Sequence, residues 1–225
     1  MGVVLLVRHG QASFGADDYD VLSPVGWQQG RLLGQWMAER RVVPTTIVRG
    51  GMRRHRETLE AMTGAAGWRG DVVVDEAWDE FDHLGIVASH PEVTSLTDAG
   101  GLDRKAFQRL FEQATARWTA GHGDYDEPWD GFVARVRAAF ARVAERAGSG
   151  RTAVVVTSGG VIGVLAAALA DPDDDDPVAL ARRWARFNAV TVNSSVTRVV
   201  VGSTGARLLT FNEHPHLEGD HLTYR

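Results

Sequence analysis

The run Val3-Val4-Leu5-Leu6-Val7-Arg8-His9-Gly10 decides how this chain is read. Val3 to Val7 is apolar without a break, the pattern of a strand buried on both faces. It stops abruptly at a cation, an imidazole and a glycine. The carboxyl end of a buried strand is where open α/β sheets bind ligands. Gly10 lets the backbone turn sharply and approach a ligand closely. Three residues alone also fit a strand that simply ends in polar side chains, so the rest of the chain must choose.

Outward from this run, strand and helix patterns alternate. Ser23-Pro24 reads as an N-cap followed by proline at the first helical position. Trp27, Leu32, Leu33, Trp36 and Met37 then keep helical spacing, which predicts an amphipathic helix over about 24–40. Thr45 to Val48 is a β-branched second strand. It ends in Arg49-Gly50-Gly51, and Met52 to Met62 reads as a helix closed by Gly64. Val72 to Val74 is a third strand, followed by the acidic stretch Asp75 to His83. A helix is predicted over 103–119, another over Asp130 to Ala147, and a fourth strand over Ala153 to Val156. Thr157-Ser158-Gly159-Gly160 leads into a helix over 161–170. Pro177 starts a short helix. Val190 to Val201 and Arg207 to Phe211 read as a terminal hairpin turned by Gly202 to Gly205.

This alternation predicts a three-layer α/β/α sandwich on a mixed, mostly parallel sheet. The chain reads as one domain over 1–225, with a helical insertion at about 85–128 forming a lid beside the active-site edge. The 225 residues, 44% of them hydrophobic, suffice for a substantial core. With 24 Lys+Arg against 29 Asp+Glu and no basic block, a nucleic-acid partner is not expected. The absence of cysteine excludes disulfides and thiolate chemistry. No stretch has the length of a membrane span and no signal peptide is evident, so the expectation is a cytoplasmic protein. His214, His216 and His221 lack the carboxylate or helical spacing of a metal site. The strand edge of the terminal hairpin can pair with a second subunit, so a homodimer is one expectation.

Four strand ends carry the polar residues: Arg8-His9, the Arg53-Arg54 cluster, Glu80, and Ser158-Gly159-Gly160. In a parallel sheet these ends share one edge. Arginine forks suit a phosphate. A neutral imidazole is a nucleophile toward phosphorus. A carboxylic acid of raised pKa can protonate a leaving oxygen, and a Gly-Gly helix start offers backbone N–H groups to an anion. The competing readings remain a solvated helix face for Arg53 and Arg54, an exposed acidic loop for Glu80, and a plain N-cap for Ser158.

These motifs resemble the histidine phosphatase superfamily, which includes the cofactor-dependent phosphoglycerate mutases. The resemblance rests on Leu6-Val7-Arg8-His9-Gly10, Leu22-Ser23-Pro24-Val25-Gly26-Trp27-Gln28-Gln29, Arg54-His55-Arg56-Glu57-Thr58, Glu80-Phe81-Asp82 and Val155-Val156-Thr157-Ser158-Gly159-Gly160-Val161-Ile162, in the family's order. It implies a phosphomonoesterase acting on a small phosphorylated metabolite. His9 would be the nucleophile that forms a phosphohistidine, Arg8 and Arg54 the phosphoryl ligands, and Glu80 the proton donor. Ser158 and Gly159 would complete the phosphate site, with Gln11 and His83 near the substrate. Arg53 replaces Arg54 under a one-residue shift of register. The resemblance implies no metal and no cofactor.

The chain departs from the family in three places. Ser158 stands where the family has a second histidine, which puts catalytic strength in doubt. Gly15 stands where many members have a phosphate-contacting asparagine. The loop between His9 and Leu22 is shorter than in the mutases, and their basic substrate-binding elements are missing. The last two departures disfavour a mutase. Ser158 and Gly15 leave a phospholigand-binding or weakly active protein as the alternative.

Overall fold

The structure is a computed structural model that describes residues 1–13, 20–93 and 104–224. Its sheet contains β1 (Gly2–Arg8), β2 (Thr46–Arg49), β3 (Val72–Val74), β4 (Thr152–Thr157), β5 (Val196–Gly202) and β6 (Gly205–Glu213), in the spatial order β3-β2-β4-β1-β5-β6. β1 pairs in parallel with β4, with Arg8 opposite Thr157, and antiparallel with β5. β2 is parallel to both β3 and β4. The sheet is therefore mixed, and the carboxyl ends of β1 to β4 share one edge. The chain leaves β1 for β2 and β3 and returns to insert β4 between them. The crevice beside the ends of β1 and β4 is thus the topological switch point, where ligands bind in open sheets.

Among the described residues, seven helices flank the sheet: α1 (Pro24–Glu39), α2 (Arg53–Ala66), α3 (His83–Ala88), α4 (Arg104–Thr119), α5 (Trp129–Arg146), α6 (Gly159–Ala170) and α7 (Pro177–Val190). Strand alternation divides the core in two. Leu5, Val7, Ile47, Val154 and Val156 pack with Leu33, Met37, Leu59 and Met62 of α1 and α2. Val4, Leu6, Val48 and Val155 face the other way, onto α5, α6 and α7. That second layer contains a tight aromatic group. Phe81 stacks on Trp118 at 4.9 Å between ring centroids and meets Phe132 and Trp184 edge-on at 5.6 and 5.8 Å. Edge and offset contacts of this kind contribute about 0.5–1.5 kcal/mol each beyond burial.

The cap of α1 is as the sequence predicts: Ser23 Oγ accepts from the Gly26 N–H at 3.1 Å, with Pro24 next. Two boundaries differ. The α2 helix runs past Gly64 to Ala66 and closes at Gly67, which takes the left-handed φ of 69°. Gly64 keeps right-handed geometry, and the alanines after it favour helix. Pro177 starts a helix of 14 residues, not a short one, so Val190 ends a helix where the sequence predicted a strand start. Asp176 caps it by accepting from the Val178 N–H, and Leu180 and Trp184 bury one face at helical spacing. Ser194, at φ 58°, delays β5 to Val196. Among the described residues, no helix is long and apolar enough to cross a membrane.

Candidate active site

Strand β1 delivers Arg8 and His9 to the switch point. His9 is buried at 6% exposure. Its Nδ1 lies 2.7 Å from the carbonyl oxygen of Gly10. A carbonyl only accepts, so Nδ1 carries the proton and Nε2 holds a lone pair. Burial lowers the pKa of His9 well below the ordinary value, and the nearby charges of Arg54 and Arg8 lower it further. The imidazole is therefore neutral at neutral pH. The backbone around it is pinned as well: the Gly10 N–H donates to Thr58 Oγ1 at 2.9 Å, and Asn193 Nδ2 donates to the His9 carbonyl at 3.3 Å. Arg8 Nη1 donates to the carbonyls of Thr191 and Tyr224, the latter at 2.8 Å, so the C-terminal segment fixes its guanidinium.

The start of α2 carries both candidate arginines, and burial tells them apart. Arg54 is buried at 5% exposure, whereas the Arg53 side chain is about half exposed and pairs with Glu57 at 2.7 Å. Arg54 Nη1 also forms an ion pair with Asp20 at 2.9 Å. The next residue, His55, is fully buried. Its Nε2 lies 2.8 Å from Ser158 Oγ, and its ring centroid is 5.8 Å from that of His9.

Glu80 follows a single 3-10 turn after β3. Its Oε2 accepts from the Gly160 N–H at 3.0 Å and its Oε1 from the Phe81 N–H at 3.3 Å. Burial raises its pKa, against the opposing pull of the Gly160 amide, Arg54 and Arg8. It is not the exposed acid of a polar loop. Gly160 is required here because a Cβ would lie 2.3 Å from Glu80 Oε1 and 2.7 Å from the Phe81 ring. Arg135 of α5 holds the loop in place by donating to the carbonyls of Ala77 and Asp79 at 3.0 and 2.9 Å, while its fork grips Glu127. Trp184 Nε1 donates to the Gly160 carbonyl at 2.9 Å and so fixes the first turn of α6.

A neutral imidazole with a lone pair, two arginines, a carboxyl held toward its acid form and a helix N-terminus can bind and transfer a phosphoryl group. The family model of the histidine phosphatase superfamily, branch 1, matches residues 4–214. The chain belongs to this superfamily. Similar solved structures include a mutant phosphoserine phosphatase from Entamoeba histolytica in complex with phosphoserine, at 17% identity and TM-score 0.66, covering 97% of this chain and 100% of that one. A mycobacterial glucosyl-3-phosphoglycerate phosphatase is 22% identical with TM-score 0.61, covering 94% and 99%. A phosphoglycerate mutase from Bacillus anthracis is 16% identical with TM-score 0.61, covering 94% and 93%. These likenesses show the fold. No curated protein matches the chain.

Within this histidine phosphatase fold, Arg8, His9, Arg54 and Glu80 converge on one edge. Ser158 occupies the N-cap position of α6, yet its hydroxyl makes no capping bond and turns to His55 instead. Gly159 lies against Arg8 and Asn188: a Cβ there would meet Asn188 Oδ1 at 3.1 Å and Arg8 Nε at 3.4 Å. Gln11 braces the loop, its N–H donating to Gln29 Oε1 and its Oε1 accepting from the Ser23 hydroxyl. His83 opens α3, half-buried, and its pKa is lowered by burial and by Arg54, which places it within electrostatic reach of the arginine. Gly15 lies outside the described residues. Among the described residues, no group of three or more His, Asp and Glu side chains could hold a metal ion. Sequence reading gave no role to Asp20, Asp79, Arg135, Asn188 or the Tyr224 carbonyl. Their only signals were ordinary charges and amides in loops and on helix faces.

Proposed function

We propose that this chain is a phosphomonoesterase that hydrolyses a small phosphorylated metabolite through a phosphohistidine at His9. The supporting observation is the His9 tautomer: with its proton committed to the Gly10 carbonyl, the ring has only Nε2 to offer phosphorus. In the first step Nε2 forms a bond to phosphorus as the ester P–O bond breaks, and Glu80 gives its proton to the leaving oxygen. In the second, the Glu80 carboxylate takes a proton from water. The water oxygen bonds to phosphorus, the P–N bond breaks, and its electron pair returns to Nε2. Arg8, Arg54 and the α6 N-terminus stabilise charge on the phosphoryl oxygens in both steps. The substrates named for the similar phosphatase structures, phosphoserine and glucosyl-3-phosphoglycerate, are small metabolites and support that substrate class. The segment 85–128 is proposed to select among them.

The test is turnover of an aryl phosphate together with trapping of the phosphoenzyme. The wild type should turn over and yield an acid-labile, base-stable phosphoryl label, and His9→Ala should lose both. Turnover that survives His9→Ala unchanged would overturn the proposal.

A further inference from the structure

His55 is a buried imidazole that the mechanism above leaves unused. Both of its nitrogens face polar partners. Nδ1 lies 3.4 Å from Asp79 Oδ1, an ion-pair distance, and Nε2 lies 2.8 Å from Ser158 Oγ. The site is shaped around this chain of groups. A Cβ at Gly50 would sit 2.3 Å from His55 Nδ1 and 2.4 Å from Asp79 Oδ1, so only glycine leaves room for the pair. The Met52 N–H, at the start of α2, donates to Asp79 Oδ1 at 3.2 Å and orients the carboxylate. Ser158 is fully buried and immediately follows Thr157, whose carbonyl accepts from the His9 N–H at 2.9 Å. Ser158 thus follows directly on the residue that pins the His9 backbone, and its hydroxyl meets the ring of His55, whose centroid lies 5.8 Å from that of His9.

We propose that His55 and Ser158 act together as a further phosphoryl-binding group. With a phosphoryl group at His9, His55 carries a proton on each nitrogen. Nδ1–H points to Asp79, Nε2–H donates to Ser158 Oγ, and the serine hydroxyl, keeping its proton, donates a hydrogen bond to a phosphoryl oxygen. Ser158 touches the phosphoryl group; His55 and Asp79 are positioning residues. This role rests on the phosphatase reading of the site.

The charges around His55 explain the change of state. The groups facing it are Asp79 before α3, Arg54 on its own helix, His9 after β1, Asp20 before α1 and Ser158 before α6. In the empty site, burial lowers the pKa of His55, Asp79 opposes this and Arg54 adds to it, so the ring is neutral. Burial pushes the Asp79 carboxyl up, but bonding to His55 and to the Met52 and Gly51 amides outweighs it and keeps the group ionised. The one ring proton then sits on Nδ1 beside the carboxylate, and Ser158 donates to Nε2. That arrangement would turn serine lone pairs toward an incoming anion. A phosphoryl dianion reverses the balance: His55 takes up one proton from solvent, and the serine hydroxyl turns from the ring to the ligand.

Vanadate affinity, aryl phosphate kinetics and histidine ¹⁵N NMR test this, with circular dichroism confirming that each variant folds. On vanadate binding to the wild type, both His55 nitrogens should move to the protonated range. His55→Ala and Ser158→Ala should weaken vanadate and lower kcat, by a factor on the order of 10²–10³ for His55→Ala. Ser158→His alone should also lose activity, because the ring of His55 already fills that space. The combined variant H55A/S158H moves the imidazole from the first turn of α2 to the end of β4 and should recover at least about tenfold over His55→Ala. Recovery by a relocated imidazole is something a merely structural residue would not produce. Vanadate affinity and kcat within about twofold of wild type in both alanine variants, or a double variant no better than the poorer single one, would overturn the proposal. A wild type that binds vanadate but neither turns over nor forms phosphohistidine would sink the phosphatase reading alone, and the vanadate and NMR results would still decide the role of His55.

Discussion

Replacing Gly160 by alanine should disable the acid without dismantling the fold. A Cβ at this position would fall 2.3 Å from Glu80 Oε1 and 2.7 and 3.0 Å from two carbons of the Phe81 ring. Ordinary carbon–oxygen contacts lie near 3.4 Å, so the carboxyl must retreat by about 1 Å, because Phe81 is locked among Trp118, Phe132 and Trp184 and cannot move instead. The Gly160 N–H bond to Glu80 Oε2 is then lost or lengthened. Alanine in the first turn of α6 adds helix propensity of up to about 1 kcal/mol, which offsets part of the steric cost, and the protein should still fold.

A positioned general acid contributes about 10²–10⁴-fold to rate. The loss should depend on the leaving group. An alkyl oxygen needs a proton as its bond to phosphorus breaks; a nitrophenolate does not. Gly160→Ala should therefore lower kcat on an alkyl phosphate on the order of 10²-fold and on p-nitrophenyl phosphate by less than about tenfold. Steady-state kinetics on both substrates, with circular dichroism to confirm folding, measure the difference. Equal losses on the two substrates, or none on the alkyl ester, would refute the assignment of Glu80 as the acid held by Gly160.

Arg54→Ala should reduce kcat/KM on an aryl phosphate on the order of 10²–10³-fold, while Arg53→Ala, which breaks a partly exposed pair with Glu57, should stay within about threefold of wild type. The Glu80 carboxyl is raised above its ordinary value of 4.5, so its contribution to stability is present below that pH and is lost as pH rises through the folded value. Glu80→Gln should therefore raise Tm at neutral pH while abolishing activity on alkyl phosphates, and the Tm gain should vanish on acidification below the ordinary value. His216 works in the opposite sense: burial, helped by His214 and Arg40, holds its pKa at about 4. Its contribution is present above the ordinary value of 6.5 and is lost as pH falls toward 4, by up to about 3 kcal/mol, so His216→Phe should flatten the urea-unfolding stability across that window.

The strand-end motifs were legible because each depends on local chemistry. An apolar run ending in Arg8-His9-Gly10 is buried whatever surrounds it, and Ser23-Pro24 caps a helix from its own neighbours. The boundaries that sequence missed were set elsewhere. Gly64 and Gly67 look alike in sequence; only the packing of α2 decides which of them takes the left-handed turn. Val190 has strong strand propensity, yet the buried face of Leu180 and Trp184 carries the helix through it. The same holds within the site. Glu80 could be picked out from the Glu80-Phe81-Asp82 resemblance, but Asp79, Arg135 and Asn188 act across sequence separations that carry no periodic signal. His55 sits next to a conspicuous arginine, and nothing local tells that its ring turns to Ser158, 103 residues away.

That separation matters to how the site works. Arg8 is held by carbonyls 183 and 216 residues further on, Glu80 by an amide 80 residues on, and Gly10 by a hydroxyl 48 residues on. The partners come from four separate segments: the end of α7, the C-terminal tail, the first turn of α6 and the second turn of α2. Several of these holding groups are backbone amides and carbonyls, which side-chain substitution does not remove, and the side-chain holder Thr58 is fully buried, as is Ser158. In the proposed arrangement, Ser158 costs the site less than its single hydroxyl implies. A serine alone would be a weak replacement for an imidazole, but a serine whose oxygen meets an imidazole, itself facing a carboxylate, inherits the proton that the imidazole controls. In the proposed arrangement the chemistry depends on where the imidazole's proton can be delivered, and His55 reaches the phosphoryl edge from α2 through the hydroxyl of Ser158, just past β4.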